Sequence, residues 1–193
     1  MADLTLDRRT TALVLIDLQR GIVGGTTVPH AASDVIARGA ALAATFRARE
    51  ALVVLVHVDP GPQGILFPRP AADKARPPLT VTADWSELVP ELGRVPSDVV
   101  VTKHQPNAFY GTDLDIQLRR RAVRTIVLAG ISTNVGVEST ARAAFERGYE
   151  QVFVEDAMAA RAETLHAHAI EHFFPTVGRV RTTKQVIAAM EAR

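Results

Sequence analysis

The stretch LAGISTNVGVESTARAA, from Leu128 to Ala144, decides both the fold and the position of the site. It predicts a buried strand that ends at Gly130, a short loop, and a helix that begins near Asn134. Enzymes built on parallel sheets commonly place a nucleophile at such a turn, where the helix dipole and free backbone N–H groups stabilise a thiolate. The residue in that slot is Gly136, and the chain has no cysteine. The sequence therefore excludes thiolate chemistry.

Short apolar runs alternate with helical patterns along the rest of the chain. Continuous apolar runs, rather than alternating ones, are typical of strands buried on both faces of a parallel sheet. They predict strands at 11–17, 51–58, 98–102, 125–129 and 151–154, with a weaker one at 176–181. Helices are predicted at 31–49, at 113–121 after the N-cap Thr112, and at 134–147 before Gly148. This alternation predicts a doubly wound α/β domain.

Three segments resemble one family in order and spacing. They are ALVLIDLQRGIV (12–23), VTKHQPNAFYGTDLDIQLRRR (101–121) and GISTNVGVESTARAAFERGYEQVFVEDAMAA (130–160). The chain is identified by them as similar to the isochorismatase-like (cysteine hydrolase) superfamily. The resemblance implies one three-layer, Rossmann-like α/β domain over residues 1–193, with a six-stranded parallel sheet in the order 3-2-1-4-5-6.

The same resemblance maps a catalytic triad onto this chain. Most members of the superfamily use Asp, Lys and Cys, which correspond here to Asp17, Lys103 and Gly136. True isochorismatases of the superfamily also have glycine in the third position and hydrolyse a vinyl ether without a covalent intermediate. The resemblance therefore implies a hydrolase that works without a nucleophilic thiol.

Asp17 and Lys103 each follow a predicted strand at its carboxyl end. Ligands of open α/β sheets bind beyond these ends, so we expect the two side chains to lie within salt-bridge distance, with Lys103 keeping Asp17 anionic until substrate enters. Without the family pattern, Asp17 reads equally well as a cap of a neighbouring loop, and Lys103 as a solvated surface charge. Lys103 could instead orient a substrate carboxylate.

Further residues of the matched segments are expected to line the pocket. Backbone N–H groups of 130–136 would bind an oxyanion, and the resemblance implies a non-proline cis peptide at Ile131–Ser132. The hydroxyls of Ser132 and Thr133 are expected to form hydrogen bonds rather than to act as nucleophiles, since no histidine follows in a triad-like pattern. The expected substrate-binding residues are Gln19, Gln105, Asn107, Phe109, Ile131, Ser132 and Val135.

Gln105 bears on the substrate. Isochorismatases of the superfamily have arginine at this position, whereas this chain has glutamine. Loss of that charge weakens the case for a dicarboxylate such as isochorismate itself.

A possible metal motif lies near the C-terminus. His168, Glu171 and His172 spell H-x-x-E-H, which can bind zinc. We expect Leu165, Ala169 and Phe173 to form the buried stripe of that helix, which leaves the two histidines on a partly solvated flank. The metal motif of nicotinamidases, Asp-x-His-x-x-His, is absent from the chain. The sequence therefore predicts no metal and no cofactor.

Composition and the remaining segments give expectations about partners, cellular location and assembly. A net charge of +1 favours neither nucleic acid nor an acidic membrane as a partner. The polar N-terminus and the lack of cysteine indicate a cytoplasmic protein. The proline-rich insert at 60–78 is either a lid or subunit contact, or a plain surface connection. Its apolar residues Ile65 to Phe67 and the resemblance predict a homodimer or homotetramer.

Three functional classes follow. The first is a small-molecule hydrolase without a cysteine nucleophile, acting on a vinyl ether or, alternatively, on an amide or ureide through activated water. The second is a catalytically silent protein that binds a small molecule in the same pocket. The third is a metal-dependent hydrolase built around His168 and His172. The presence of both Asp17 and Lys103 favours the first class over the second.

Overall fold

The computed structural model describes residues 4–61, 71, 73 and 80–192, and its centre is a six-stranded parallel sheet. The strand order is β3-β2-β1-β4-β5-β6, which confirms the predicted order. Because β1 is flanked by β2 and β4, the chain reverses its winding direction there, and a crevice forms at the carboxyl ends of these strands. The strands are β1 Thr11–Ile16, β2 Leu52–Val58, β3 Val99–Lys103, β4 Thr125–Ile131, β5 Glu150–Ala159 and β6 Arg179–Arg181.

Helices cover both faces of the sheet, as the alternation of elements predicts. One face packs on α2 and α7, and the other on α3, α4 and α6. Alternate residues of β1 serve the two cores: Leu13 and Leu15 point to the first, Val14 and Ile16 to the second. The helices are α1 Arg20–Val23, α2 Ala32–Ala48, α3 Leu114–Arg119, α4 Glu138–Glu146, α5 Glu163–His168, α6 Phe174–Val177 and α7 Thr183–Glu191.

The strand-to-helix turn after β4 differs in detail from the expected one. The helix begins at Thr133 with a π-helical turn, Thr133–Val137, and continues as α4. Phe145 of α4 is 56% exposed, although Ala141 and Ala144 of the same helix are fully buried. The predicted stripe of α5 is wrong at one position, since Leu165 is exposed while His166 is buried.

Strand β5 is longer than predicted because it contains an irregularity. Its pairing with β4 runs in register as far as Leu128 and Phe153, and resumes only at Gly130 and Met158. The extra residues of β5 therefore bulge out of the ladder, and they include Glu155. Bulges bend a strand and redirect the side chains they contain, and they are frequent beside functional sites.

Gly130 marks a close approach of β4 to β1. Its φ of +124° lies in a region open mainly to glycine, and a Cβ atom there would lie 2.1 Å from the carbonyl oxygen of Ile16. The chain can therefore carry no side chain at 130. This approach brings the end of β4 directly against the residue that precedes Asp17.

Most of the proline-rich insert at 60–78 lies outside the described residues, including Ile65 to Phe67, so its proposed role as lid or subunit contact stays a prediction. In the part of the chain that is described, no helix is both long and apolar enough to cross a membrane.

Candidate active site

Asp17 and Lys103 meet at the carboxyl ends of β1 and β3. The Lys103 Nζ donates a hydrogen bond of 2.8 Å to Asp17 Oδ2, and the exposed fractions of the two side chains are 1% and 7%. Asp17 follows β1 directly and has a left-handed backbone with φ +53°. Its N–H donates to Val56 O of the neighbouring strand. The predicted salt bridge is therefore present, and it is buried.

The environment of Asp17 makes its carboxyl group hold a proton more tightly. Burial raises the pKa of Asp17 from 3.8 to about 6, although the charge and hydrogen bond of Lys103 act in the opposite direction. Lys103 favours the carboxylate form, as expected, but desolvation is the larger influence and the pKa stays above its ordinary value. Such a group can donate or accept a proton near neutral pH.

One oxygen of this carboxyl group is left without a partner. Asp17 Oδ1 is buried and makes no hydrogen bond to the described part of the chain, whereas Oδ2 is held by Lys103. A buried polar atom without a partner costs about 1–3 kcal/mol. Such exceptions in a native structure are found where a ligand completes the hydrogen bonding.

Gly136 lies against this pair. A Cβ atom on Gly136 would be 3.0 Å from Asp17 Oδ2, 3.8 Å from Lys103 Nζ and 2.8 Å from Ile16 Cγ2. A side chain at 136 would therefore point at the carboxyl and ammonium groups. The Gly136 carbonyl accepts a hydrogen bond from the hydroxyl of the buried Thr140, and this hydroxyl accepts one from the N–H of Ala108. This connection ties the π-helical turn to the loop after β3.

Gln19 is fully buried and has a structural task. Its amide nitrogen donates to the carbonyls of Val58 and Trp85, at 2.9 and 3.1 Å. Its oxygen accepts from the N–H of Val58 at 2.7 Å. Both hydrogens of the side-chain amide are used in these bonds. The expectation that the Gln19 side chain binds substrate is therefore wrong. It joins the end of β2 to the segment that contains Trp85.

Two other predicted pocket residues are also part of the interior. Phe109 is 6% exposed and stacks on Tyr149 at 5.8 Å, and Ile131 is fully buried in the core on the α2 face. Their apolar side chains gain more from close packing in these cores than from a solvated pocket. In the segment after β3, the residues near Phe109, rather than Phe109 itself, therefore line a cleft.

Gln105 and Asn107 are half-buried in that segment. With Pro106, Tyr110 and Ser139 they line a cleft of ≈ 290 Å³. Asn107 Oδ1 accepts from the N–H of Phe109, which shapes the turn. Ser139 belongs to α4, three residues beyond Gly136, so the cleft joins the loop after β3 to the helix at the site.

The turn between β4 and the π-helical segment contains the expected cis peptide at Ile131–Ser132. Ser132 is half-buried, and its carbonyl accepts from the N–H groups of Val135 and Val137. Val135 is 41% exposed, so it is open to a ligand. A role of this turn as an oxyanion cradle stays a prediction.

A second polar cluster forms where the sequence offered no prediction. Ligand atoms of His30, Glu155 and His166 all lie within 4.8 Å of one another, an arrangement that could hold a metal ion. Thr133 Oγ1 lies 2.9 Å from His166 Nδ1, and both residues are buried. The hydroxyl of Thr133 thus has the hydrogen-bonding role expected of it.

The predicted metal motif is not part of this cluster. His168 and His172 lie at the surface, with their rings 5.4 Å apart, and Glu171 is exposed. One signal could have identified His166: it precedes the buried Ala169 by three residues and so shares its face of the helix. His30, in the loop before α2, had no such signal.

Comparison with known proteins identifies the family. The isochorismatase domain model matches residues 11–185. YecD of Escherichia coli O157:H7, described as an uncharacterized isochorismatase family protein, is 43% identical over 97% of this chain and 100% of its own length. The ureidoacrylate amidohydrolase RutB of Methylobacterium radiotolerans is 34% identical over 92% of this chain and 79% of its own.

A solved structure agrees with this result over the whole length. The isochorismatase family protein of Burkholderia thailandensis is 46% identical, superimposes with a TM-score of 0.93, and covers 99% of this chain and 100% of its own. The strand order, the family model and these relatives together show that this chain belongs to the isochorismatase family of hydrolases.

Proposed function

We propose that this protein hydrolyses a small molecule without a covalent intermediate, and that Asp17 is the general acid. The observation that carries the proposal is the buried Asp17 carboxyl group, which has a raised pKa and an Oδ1 atom without a partner. A group of this kind can carry a proton near neutral pH, and one of its oxygens has a hydrogen-bonding position that no described residue fills. Gly136, which lies against the pair, has no side chain that could act as a nucleophile.

The reaction we propose is the hydrolysis of a vinyl ether. Protonated Asp17 donates its proton to the terminal vinyl carbon, which leaves an oxocarbenium centre at the ether carbon. Water adds to that centre and returns a proton to the Asp17 carboxylate. The resulting hemiketal collapses to a carbonyl compound and an alcohol, so no bond to the protein is formed.

Lys103 has a defined part in this scheme. Its ammonium group holds Asp17 Oδ2 at 2.8 Å, which fixes the orientation of the carboxyl group. The same positive charge stabilises the carboxylate that appears once the proton has left. Lys103 thus orients the protonated carboxyl group of Asp17 and stabilises its carboxylate form.

Gln105 narrows the substrate class. The side chain lines the ≈ 290 Å³ cleft and carries no charge, so it recognises a neutral carbonyl or hydroxyl group better than a carboxylate. We therefore propose a vinyl ether with fewer than two carboxylates.

Hydrolysis of an amide or ureide is the second candidate. The ureidoacrylate amidohydrolase RutB, at 34% identity, supports it. In this case ionised Asp17 would deprotonate water, and the backbone N–H groups of Ser132 and Gly136 would stabilise the oxyanion. A silent binding protein is the third candidate, but a buried ion pair is expensive to maintain in a pocket that performs no proton transfer.

A turnover screen tests these candidates. Vinyl ethers, amides and ureides are incubated with the wild type, with Asp17→Asn and with Asp34→Asn, a control at an exposed position of α2. We expect turnover of a vinyl ether that falls about 10²–10⁴-fold in Asp17→Asn and is unchanged in Asp34→Asn. Turnover that persists in Asp17→Asn would contradict the proposal.

A further inference from the structure

We propose that His30, Glu155 and His166 form a binding site for one divalent metal ion of the Zn²⁺ type. Their ligand atoms lie within 4.8 Å of one another, although the residues come from three separate parts of the chain. His30 precedes α2, Glu155 lies in β5, and His166 lies in α5. No family segment or sequence motif brings the three together, so the fold itself creates the cluster.

The backbone around the cluster is held firmly. The loop that contains His30 pairs with the end of β5 through two hydrogen bonds between Val28 and Ala160, of 2.9 and 2.8 Å. Arg161 then donates to the carbonyl of Thr26 in the same loop and to that of Ile22 in α1. His30 is therefore fixed beside β5 before any ion is bound.

The acidic ligand, Glu155, lies in the irregular part of β5. Glu155 is one of the residues between the two registers of the β4–β5 ladder. The Glu155 carboxylate and the His30 ring nitrogens make no hydrogen bond to the described residues, and both residues are half-buried. The bulge thus places a half-buried carboxylate near two imidazoles, and a cation would complete this arrangement.

His166 has the support that metal-bound histidines usually have. Its Nδ1 lies 2.9 Å from the hydroxyl of the buried Thr133, which leaves Nε2 available to a metal. The rings of His30 and His166 lie edge to face, with their centroids 5.9 Å apart.

The set of ligands selects the type of ion. Two imidazoles and a carboxylate suit Zn²⁺ and its neighbours better than Mg²⁺ or Ca²⁺, which prefer oxygen ligands. Zn²⁺ ligands in a tetrahedron lie roughly 3.3 Å apart, so the side chains must move together by about 1 Å. The fourth position would be taken by water.

The position of the site suggests what the ion does. Thr133 begins the π-helical turn that carries Gly136 three residues later. An ion at His166 would thus brace that turn through Thr133, and it would join the loop before α2 to β5 and α5. Its role would be to hold the turn in place, independently of the reaction proposed above.

Zinc titration of the purified full chain tests the site. Calorimetry should give one ion per chain for the wild type, and the melting temperature should rise by several degrees at a hundredfold excess over Kd. His30→Ala and Glu155→Gln should each weaken Zn²⁺ binding at least about 100-fold, and Thr133→Val roughly 10–100-fold. Circular dichroism shows whether each variant is folded.

The exposed histidine pair provides the matched control. His168 and His172, whose rings lie 5.4 Å apart, form the surface pair to which zinc would bind non-specifically, and the chain has no cysteine to compete. The double variant His168→Ala/His172→Ala should bind Zn²⁺ as the wild type does. Absence of binding at millimolar Zn²⁺, or binding that survives in His30→Ala and Glu155→Gln but is lost in the double variant, would overturn the proposal.

Discussion

At the scale of single residues, Asp17 is subject to two opposing influences. Burial favours its neutral form, and the ammonium group of Lys103 at 2.8 Å favours the charged form. Burial is the larger influence, so the pKa rises to about 6. The left-handed φ of +53° at this residue adds a backbone conformation that is uncommon outside glycine and is often found at functional sites.

Removal of Lys103 should therefore raise the pKa of Asp17 further. Lys103→Met deletes both contributions that lower the pKa and leaves burial unopposed. The carboxyl resonance of Asp17, followed by carbon-13 NMR as a function of pH, should titrate above 6 in this variant. A titration at or below the wild-type value would show that Lys103 does not lower the pKa of Asp17.

Two glutamines separate a structural role from a binding role. Gln19→Met removes three buried hydrogen bonds to backbone groups of Val58 and Trp85, and should lower the free energy of unfolding by about 3 kcal/mol. Gln105→Leu, in the surface cleft, should change it by no more than about 0.5 kcal/mol but should raise KM. Urea denaturation and steady-state kinetics measure the two effects. The reverse pattern would restore Gln19 as a substrate-binding residue.

At the scale of elements, the strands were well predicted, but the irregularity of β5 was not. Continuous apolar runs identify β1 to β5 because both faces of the sheet are covered. The end of a strand also locates Asp17 and Lys103, since the carboxyl ends of parallel strands share one edge. The extra length of β5 was missed because a bulge interrupts its pairing with β4, and no local pattern signals that irregularity.

Residues whose role depends on distant partners were also missed. His166 and His30 are far apart in sequence and meet only in the fold. Phe109 was assigned to the pocket from its position in a motif, but its ring packs on Tyr149, a contact that only the tertiary structure reveals. Sequence patterns report which face of an element is buried, but not which distant side chain it meets.

The close approach of β4 to β1 gives a prediction at this scale. Gly130→Ala would place a Cβ atom 2.1 Å from the Ile16 carbonyl oxygen and should destabilise the protein by about 3 kcal/mol or more. Gly148→Ala is the matched control: its φ is also positive, at +75°, but nothing lies within 4 Å, so we expect about 1–2 kcal/mol. Equal losses in urea denaturation would show that the contact with β1 is unimportant.

At the scale of the whole molecule, we predict a homo-oligomer. Several large apolar side chains are exposed in the described structure, among them Phe145 of α4 and Ile116 of α3, at 56% and 57%. Light scattering at micromolar concentration should give a mass of at least twice the 20.8 kDa of the chain. A mass of one chain would contradict this prediction.

The pH dependence of kcat/KM tests the role of Asp17 most directly, because this quantity reports the pKa values of the free enzyme. If Asp17 is the general acid, it must be protonated. Activity on the vinyl ether should then be constant below pH 6 and fall about tenfold per pH unit above it. Asp17→Asn should lose this limb together with most of the activity. Activity that instead rises through pH 6 to a plateau would contradict the general-acid role and identify Asp17 as a base.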